Sequence, residues 1–223
     1  MSFLEPQIER AVQRRLKRNP PFGDADIAQI EALAVLFPRD LGDLARFPML
    51  RTLNVIGYGG RDLSVLAGHP RLASLSMRFS ALADVSAVPT LPSIRRLKIP
   101  LNAIEDISPL RSGSTKLREV DLVGNPLLEE SYREVVPELR QQATETVNVS
   151  EEREWKITRK LYAIGLPFDY FRQGDTYLLC RPGLEFTNTP DAGHLEIAPA
   201  DLEEVLQRGP EEVRRLFITK ADH

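Results

Sequence analysis

A chain of 223 residues, 42% hydrophobic and 27% charged, is long enough for one or two domains with a sizeable core, and its formal net charge of −3 argues against a general affinity for nucleic acid or an anionic membrane. One cysteine, Cys180, leaves no intrachain disulfide, and three scattered histidines (His69, His194, His223) suggest no closed zinc site. No cofactor, metal, nucleic-acid or membrane partner is expected, and a reducing cytoplasm fits the composition.

The chain opens with MSFLEPQIERAVQRRLKRNPP, which has charges within its first ten residues and no signal-peptide core. Pro6 suits a first helical turn, Ile8, Ala11, Val12 and Leu16 share one face, and Asn19-Pro20-Pro21 stops the pattern, so the spacing predicts an amphipathic helix over 6–18 within a segment 1–23. Its other face carries Arg10, Arg14, Arg15, Lys17 and Arg18. Two readings stand, a basic arm for nucleic acid or acidic lipid and a capping helix with a solvated face; the cap is preferred.

Beyond it the sequence repeats every 22 residues. Asp40-Leu41-Gly42, Asp62-Leu63-Ser64, Asp84-Val85-Ser86 and Asp106-Ile107-Ser108 recur at that interval, each followed by Leu44, Leu66, Val88 or Leu110. In phase run Leu50, Leu53, Val55; Leu72, Leu75, Met77; Ile94, Leu97, Ile99; and, after a one-residue insertion near Ser112-Gly113-Ser114, Leu117, Val120, Leu122. A degenerate copy sits at Ile30, Leu33 and Val35. Each unit supplies a short strand and a second apolar stretch that closes the coil, so stacking buries a continuous core.

These LxxLxL units resemble the bacterial 22-residue leucine-rich repeats of internalin type, similar in period to eukaryotic phosphatase-regulatory repeats; the resemblance covers residues 24–150. It implies an α/β solenoid with a parallel concave sheet, an entry unit over Asp26–Leu41 and a C-terminal cap at Tyr132–Leu139, and it implies protein binding without specifying the ligand. It also implies a ladder asparagine after each strand; Asn102 and Asn125 occupy that position, whereas Ser80 and Tyr58 replace it in earlier repeats. The cluster Gly57-Tyr58-Gly59-Gly60, which alone suggests a phosphate-cradling loop, aligns with Phe79-Ser80-Ala81-Leu82 and reads as a repeat turn. There Gly60 replaces an inward apolar residue, and Tyr58 either folds back over the gap or stands out as a contact residue.

From about Glu151 the rhythm ends. A helix over Glu152–Ala163, a hairpin turning at Gly174-Asp175 and ended by Arg181-Pro182-Gly183, a strand at His194–Ile197 and helices over Asp201–Gln207 and Glu211–Phe217 predict a small α+β module, 151–223, packed on the end of the repeats. Cys180 reads as a buried structural thiol, His69 and His194 as surface residues, and the adjacent glutamate pairs as solvated faces, so no catalytic residue is assigned.

The repeat offers a surface instead. Residues between core positions project from the concave sheet, giving rows Thr52, Asn54, Ile56; Ser74, Ser76, Arg78; Arg96, Lys98, Pro100; and Glu119, Asp121, Val123. Asn54, Ile56, Arg78, Arg96, Lys98, Glu119 and Asp121 are the candidate partner-binding residues, with Tyr58 and Phe79 as edge contacts and Ile56, Phe79 and Val123 as apolar anchors. The charges either pair with one another across strands or form a bipolar surface that selects a protein partner. The preferred function is a non-enzymatic, cytoplasmic protein-binding scaffold; the alternatives are an immunity or antitoxin-like protein that blocks a basic toxin, and an enzyme with its site in residues 151–223.

Overall fold

The computed structural model describes residues 5–112, 117–143, 145–180 and 194–217; the insertion at Gly113-Ser114, the turn at Arg181-Pro182-Gly183 and His223 lie outside them. Helix α1 (Pro6–Leu16) buries Ile8, Ala11 and Val12 and is followed by the short α2 (Asp24–Ala28). Six parallel strands then lie side by side in chain order: β1 (Ala32–Leu36), β2 (Thr52–Ile56), β3 (Ser74–Arg78), β4 (Arg96–Lys98), β5 (Glu119–Asp121) and β6 (Thr146–Asn148). The chain is thus an α/β solenoid in which LxxLxL leucines point inward: Leu53, Leu75, Leu97 and Val120 are fully buried and in register.

The recurring aspartates close the turns that return each coil. Asp40, Asp62, Asp84 and Asp106 accept the backbone N–H two residues on, at 2.9, 2.9, 2.7 and 2.7 Å. Such Asx turns satisfy a backbone donor where the chain leaves the strand direction. Three of them are followed at once, and the Asp84 turn two residues later, by a 3-10 turn on the convex side: Gly42–Arg46, Ser64–Leu66, Val88–Thr90 and Ser108–Arg111.

Both ends of the stack are closed. At the first, Glu5 caps α1 by accepting the Gln7 N–H (2.9 Å) while its other oxygen accepts from Arg39 and Asp40, and Arg14 donates to the Ala34 carbonyl of edge strand β1. At the other, a helical segment through α3 (Val136–Gln142) replaces the 3-10 turn, and β6 pairs with β5.

Helix α4 (Glu152–Ala163) continues from the solenoid end, and its Trp155 lies in the solenoid core, where Nε1–H donates to the Leu127 carbonyl (2.7 Å) and the indole stacks on Tyr132 at 3.9 Å. The antiparallel sheet β7 (Asp169–Gln173), β8 (Thr176–Cys180) and β9 (Leu195–Glu196) follows, with α5 (Pro199–Arg208) and α6 (Pro210–Arg215). Strand alternation gives the sheet two apolar faces. Tyr170 and Leu179 pack with Ile157, Leu161, Leu202 and Val213, whereas Phe171, Leu178 and Cys180 pack on Leu101, Phe79 and Val123 of the solenoid.

Candidate functional site

The concave face is built from every second residue of the six strands. One row reads Ala34, Asn54, Ser76, Lys98, Asp121, Asn148, and its neighbour Ala32, Thr52, Ser74, Arg96, Glu119, Thr146. Parallel in-register pairing therefore brings the predicted binding residues into one surface, extended by β1 and β6 at its two edges.

Within these two rows, among the described residues, cross-strand ion pairing occurs at one carboxylate. Glu119 receives Lys98 Nζ at 2.6 Å and Arg96 Nε at 3.5 Å, and both cations stay well exposed. Exposed pairs of this kind contribute about 0–1 kcal/mol, so they orient the side chains without removing them from competition by a partner. Arg78 is exposed and, among the described residues, forms no ion pair. Asp121 is half-buried, accepts the Val123 N–H at 3.2 Å, and its carboxyl is held above the usual range mainly by desolvation, opposed by that hydrogen bond and by Arg78 and Lys98.

The turns above the strands differ more from expectation. A residue just past each of the first five strands adopts a left-handed conformation: Phe37, Gly57 and Phe79 directly after β1, β2 and β3, and Leu101 and Gly124 three residues beyond β4 and β5. Each glycine there follows a coil with a large side chain: a Cβ on Gly57 would lie 2.3 Å from Phe37, and one on Gly124 2.4 Å from Leu101, so each glycine is required by φ and by the neighbour lying over it. Tyr58 folds back, its ring crossing Gly60 so closely that a Cβ there would lie 2.1 Å from the hydroxyl oxygen. The ring is half-buried against the solenoid core, and its hydroxyl pKa is raised by desolvation and by Asp62 and Asp40. The missing inward residue is replaced by the tyrosine two positions earlier.

The asparagine ladder is carried by Asn125, which donates to Ile99 and Leu122 and accepts from Ile104, and by Asn102, which donates to Met77 and Pro100. Ser80 substitutes by accepting the Tyr58 N–H at 2.9 Å.

Three expectations are corrected by packing. Phe79 and Val123, nominated as exposed anchors, are half-buried against the second sheet, and Phe79 stacks on His194 at 5.6 Å. His194 in turn meets the edge of Phe171, and so belongs to this contact. His69 is buried with Nε2 3.0 Å from the Phe47 carbonyl, which as an acceptor places the proton on that nitrogen. Ile56 stays half-exposed, and the more exposed Leu36 and Phe37 occupy the corresponding positions one coil earlier. These two, and the groove of about 340 Å3 that Arg14 and Arg15 of α1 form with Ala32–Ala34 and Asn54, were missed by sequence reasoning. The available signal was the first repeat's phase, shortened to 20 residues between Leu33 and Leu53, which places Leu36 and Phe37 under Ile56 and Gly57.

In the second module, Asp169 is buried, accepts the Tyr162 hydroxyl at 3.1 Å, and is pushed far above the carboxylate range by burial; Cys180 opposite it is raised by burial and by Asp169. A raised thiol pKa gives little thiolate, the reverse of what nucleophilic chemistry requires. Among the described residues no three His, Cys, Asp or Glu side chains gather as metal ligands would, and no helix is long and apolar enough to cross a membrane.

No family model matches this chain, and no curated protein matches it. Among solved structures it is similar to internalin C2 from Listeria monocytogenes, at 19% identity over 71% of this chain and 81% of that one, with a TM-score of 0.49. It is also similar to an internalin, InlF, from the same species, at 16% identity over 71% of this chain and 54% of that one, with a TM-score of 0.50; the chain spans about half of that protein. The likeness is one of fold, an internalin-like leucine-rich-repeat solenoid.

Proposed function

From an internalin-like solenoid with a polarised concave face, we propose that the protein is a non-enzymatic scaffold that binds a protein partner across that face. The carrying observation is the order of charge along the sheet. Arg14 and Arg15 flank the first strands, exposed Arg78 stands without an ion pair among the described residues, Arg96 and Lys98 share a single carboxylate, and Asp121 and the glutamates of α4 lie beyond. Complementary charge of this kind sets partner choice and association rate more than raw affinity. Half-exposed Ile56 with Leu36 and Phe37 supplies apolar area at the basic end. A cytoplasmic setting goes with the buried thiol of Cys180.

The toxin-blocking reading draws on the same acidic end. It ranks second because Glu119 is the recessed member of its ion pairs, with a side chain 20% exposed against 53% for Arg96 and 39% for Lys98.

The test is capture from native lysate by immobilised chain, comparing the natural sequence with R78E/R96E/K98E. The protein recovered in stoichiometric amount by the natural chain is lost from the variant while the variant's melting temperature is retained. Equal recovery by both removes the concave face from the proposal.

A further inference from the structure

A notch of about 310 Å3 opens where the second module meets the last coils, walled by Val123, Val149, Ser150, Glu151, Glu154 and Arg172. Glu154, in the first turn of α4, is 2% exposed, and among the described residues nothing donates to its Oε2. A buried carboxylate oxygen without a donor is unfavourable, and such groups are ordinarily met by a cation or a further hydrogen-bond donor. The chain commits its nearby cations elsewhere. Arg172 on the rim donates through Nε to the Gly174 carbonyl (2.8 Å) and through Nη2 to Asp175 (3.2 Å), with its guanidinium over the Tyr177 ring. On α4 itself Arg153 is paired with Glu203, Lys156 with Glu152 and Arg159 with Glu129; Arg133 is held by Glu129 and Glu152. Asp121 on the concave sheet accepts the N–H of Val123, which walls the notch.

Two valines and a recessed carboxylate complement a side chain with an apolar stem and a cationic head, and guanidinium is the cation that tolerates loss of water best. We propose that this notch is a subsite for an arginine side chain of the partner protein, with Glu154 as the group that receives the guanidinium. The proposal rests on the protein-binding reading only for the source of the arginine.

The test is titration of the isotope-labelled full chain with N-acetyl-arginine methylamide, followed by amide resonances, beside the neutral citrulline analogue. Saturable shifts are expected at Val149, Ser150 and Gly174 with arginine and none with citrulline. Glu154→Gln should weaken binding about tenfold, the loss of one charge-assisted hydrogen bond. Arg172→Gln, which removes the rim cation, should tighten it about two- to threefold; this variant decides the matter if Glu154→Gln fails to fold. Absent shifts, equal shifts with citrulline, affinity indifferent to both substitutions, or tighter binding of free spermidine than of blocked arginine each overturn the assignment. Such a failure leaves concave-face recognition standing, because R78E/R96E/K98E tests that separately.

Discussion

Gly60→Ala probes the substitution of a tyrosine for a core residue in the second coil. A methyl at Gly60 would meet the Tyr58 hydroxyl oxygen at 2.1 Å and its ring carbon at 2.2 Å, so the ring must swing away from the core. Half of a tyrosine's buried surface is roughly 100 Å2, worth about 2.5 kcal/mol at ~25 cal/mol per Å2. The compactness of real unfolded chains lowers this to about 1.5–2 kcal/mol. Gly60 does not have a positive φ, so alanine also restricts the unfolded chain and returns about 0.4–1 kcal/mol. The net loss is about 1 kcal/mol, a fall of roughly 2–4 °C in melting temperature for a chain this size. In a Tyr58→Ala background the methyl meets no ring, and Gly60→Ala becomes neutral or stabilising by up to about 1 kcal/mol. Thermal and urea unfolding of the four chains gives the coupling. Additivity within about 0.5 kcal/mol would refute the claim that ring and glycine are complementary.

Two further outcomes follow from the second module. Trp155→Phe leaves the buried Leu127 carbonyl without its donor and should cost about 2 kcal/mol, read as a drop of roughly 4–8 °C; an unchanged melting temperature would show that the indole does not fasten α4 to the repeats. Asp169 has a folded-state pKa raised by burial, so the folded chain retains a proton that the unfolded chain releases, and stability falls as pH rises from the ordinary carboxylate range through the folded value. Asp169→Asn should therefore raise the melting temperature more at pH 7 than at pH 4, and a gain of equal size at both would contradict the burial argument.

The coil was legible because its determinants are local and periodic. The Asx aspartates, the inward leucines and the registered rows all follow from a 22-residue phase that any single repeat shares with its neighbours. What escaped depends on packing between segments distant in sequence. Strand β6 was hidden because a helical cap lengthens the step from Val120 to Val147. Phe79, Val123 and His194 read as surface residues until the second sheet lies over them, and only the alternation of Tyr170 and Phe171 indicates that this sheet has two apolar faces. For the site, the concave residues were legible and their charge balance was not. Whether Glu119 pairs with Arg96 and Lys98 is decided by side-chain reach across the strands, and the burial of Glu154 by the docking of α4.

The most direct test of concave-face recognition is protection of single introduced cysteines from alkylation by the captured partner. Ser76→Cys sits between Asn54 and Lys98 in the central row, and Ala67→Cys sits on the convex side after the Ser64–Leu66 turn, while Cys180 is buried. The account predicts that bound partner slows modification at position 76 at least about tenfold and leaves position 67 unchanged, as expected for a residue buried at the centre of an interface. Protection at 67 with free reaction at 76 would contradict it.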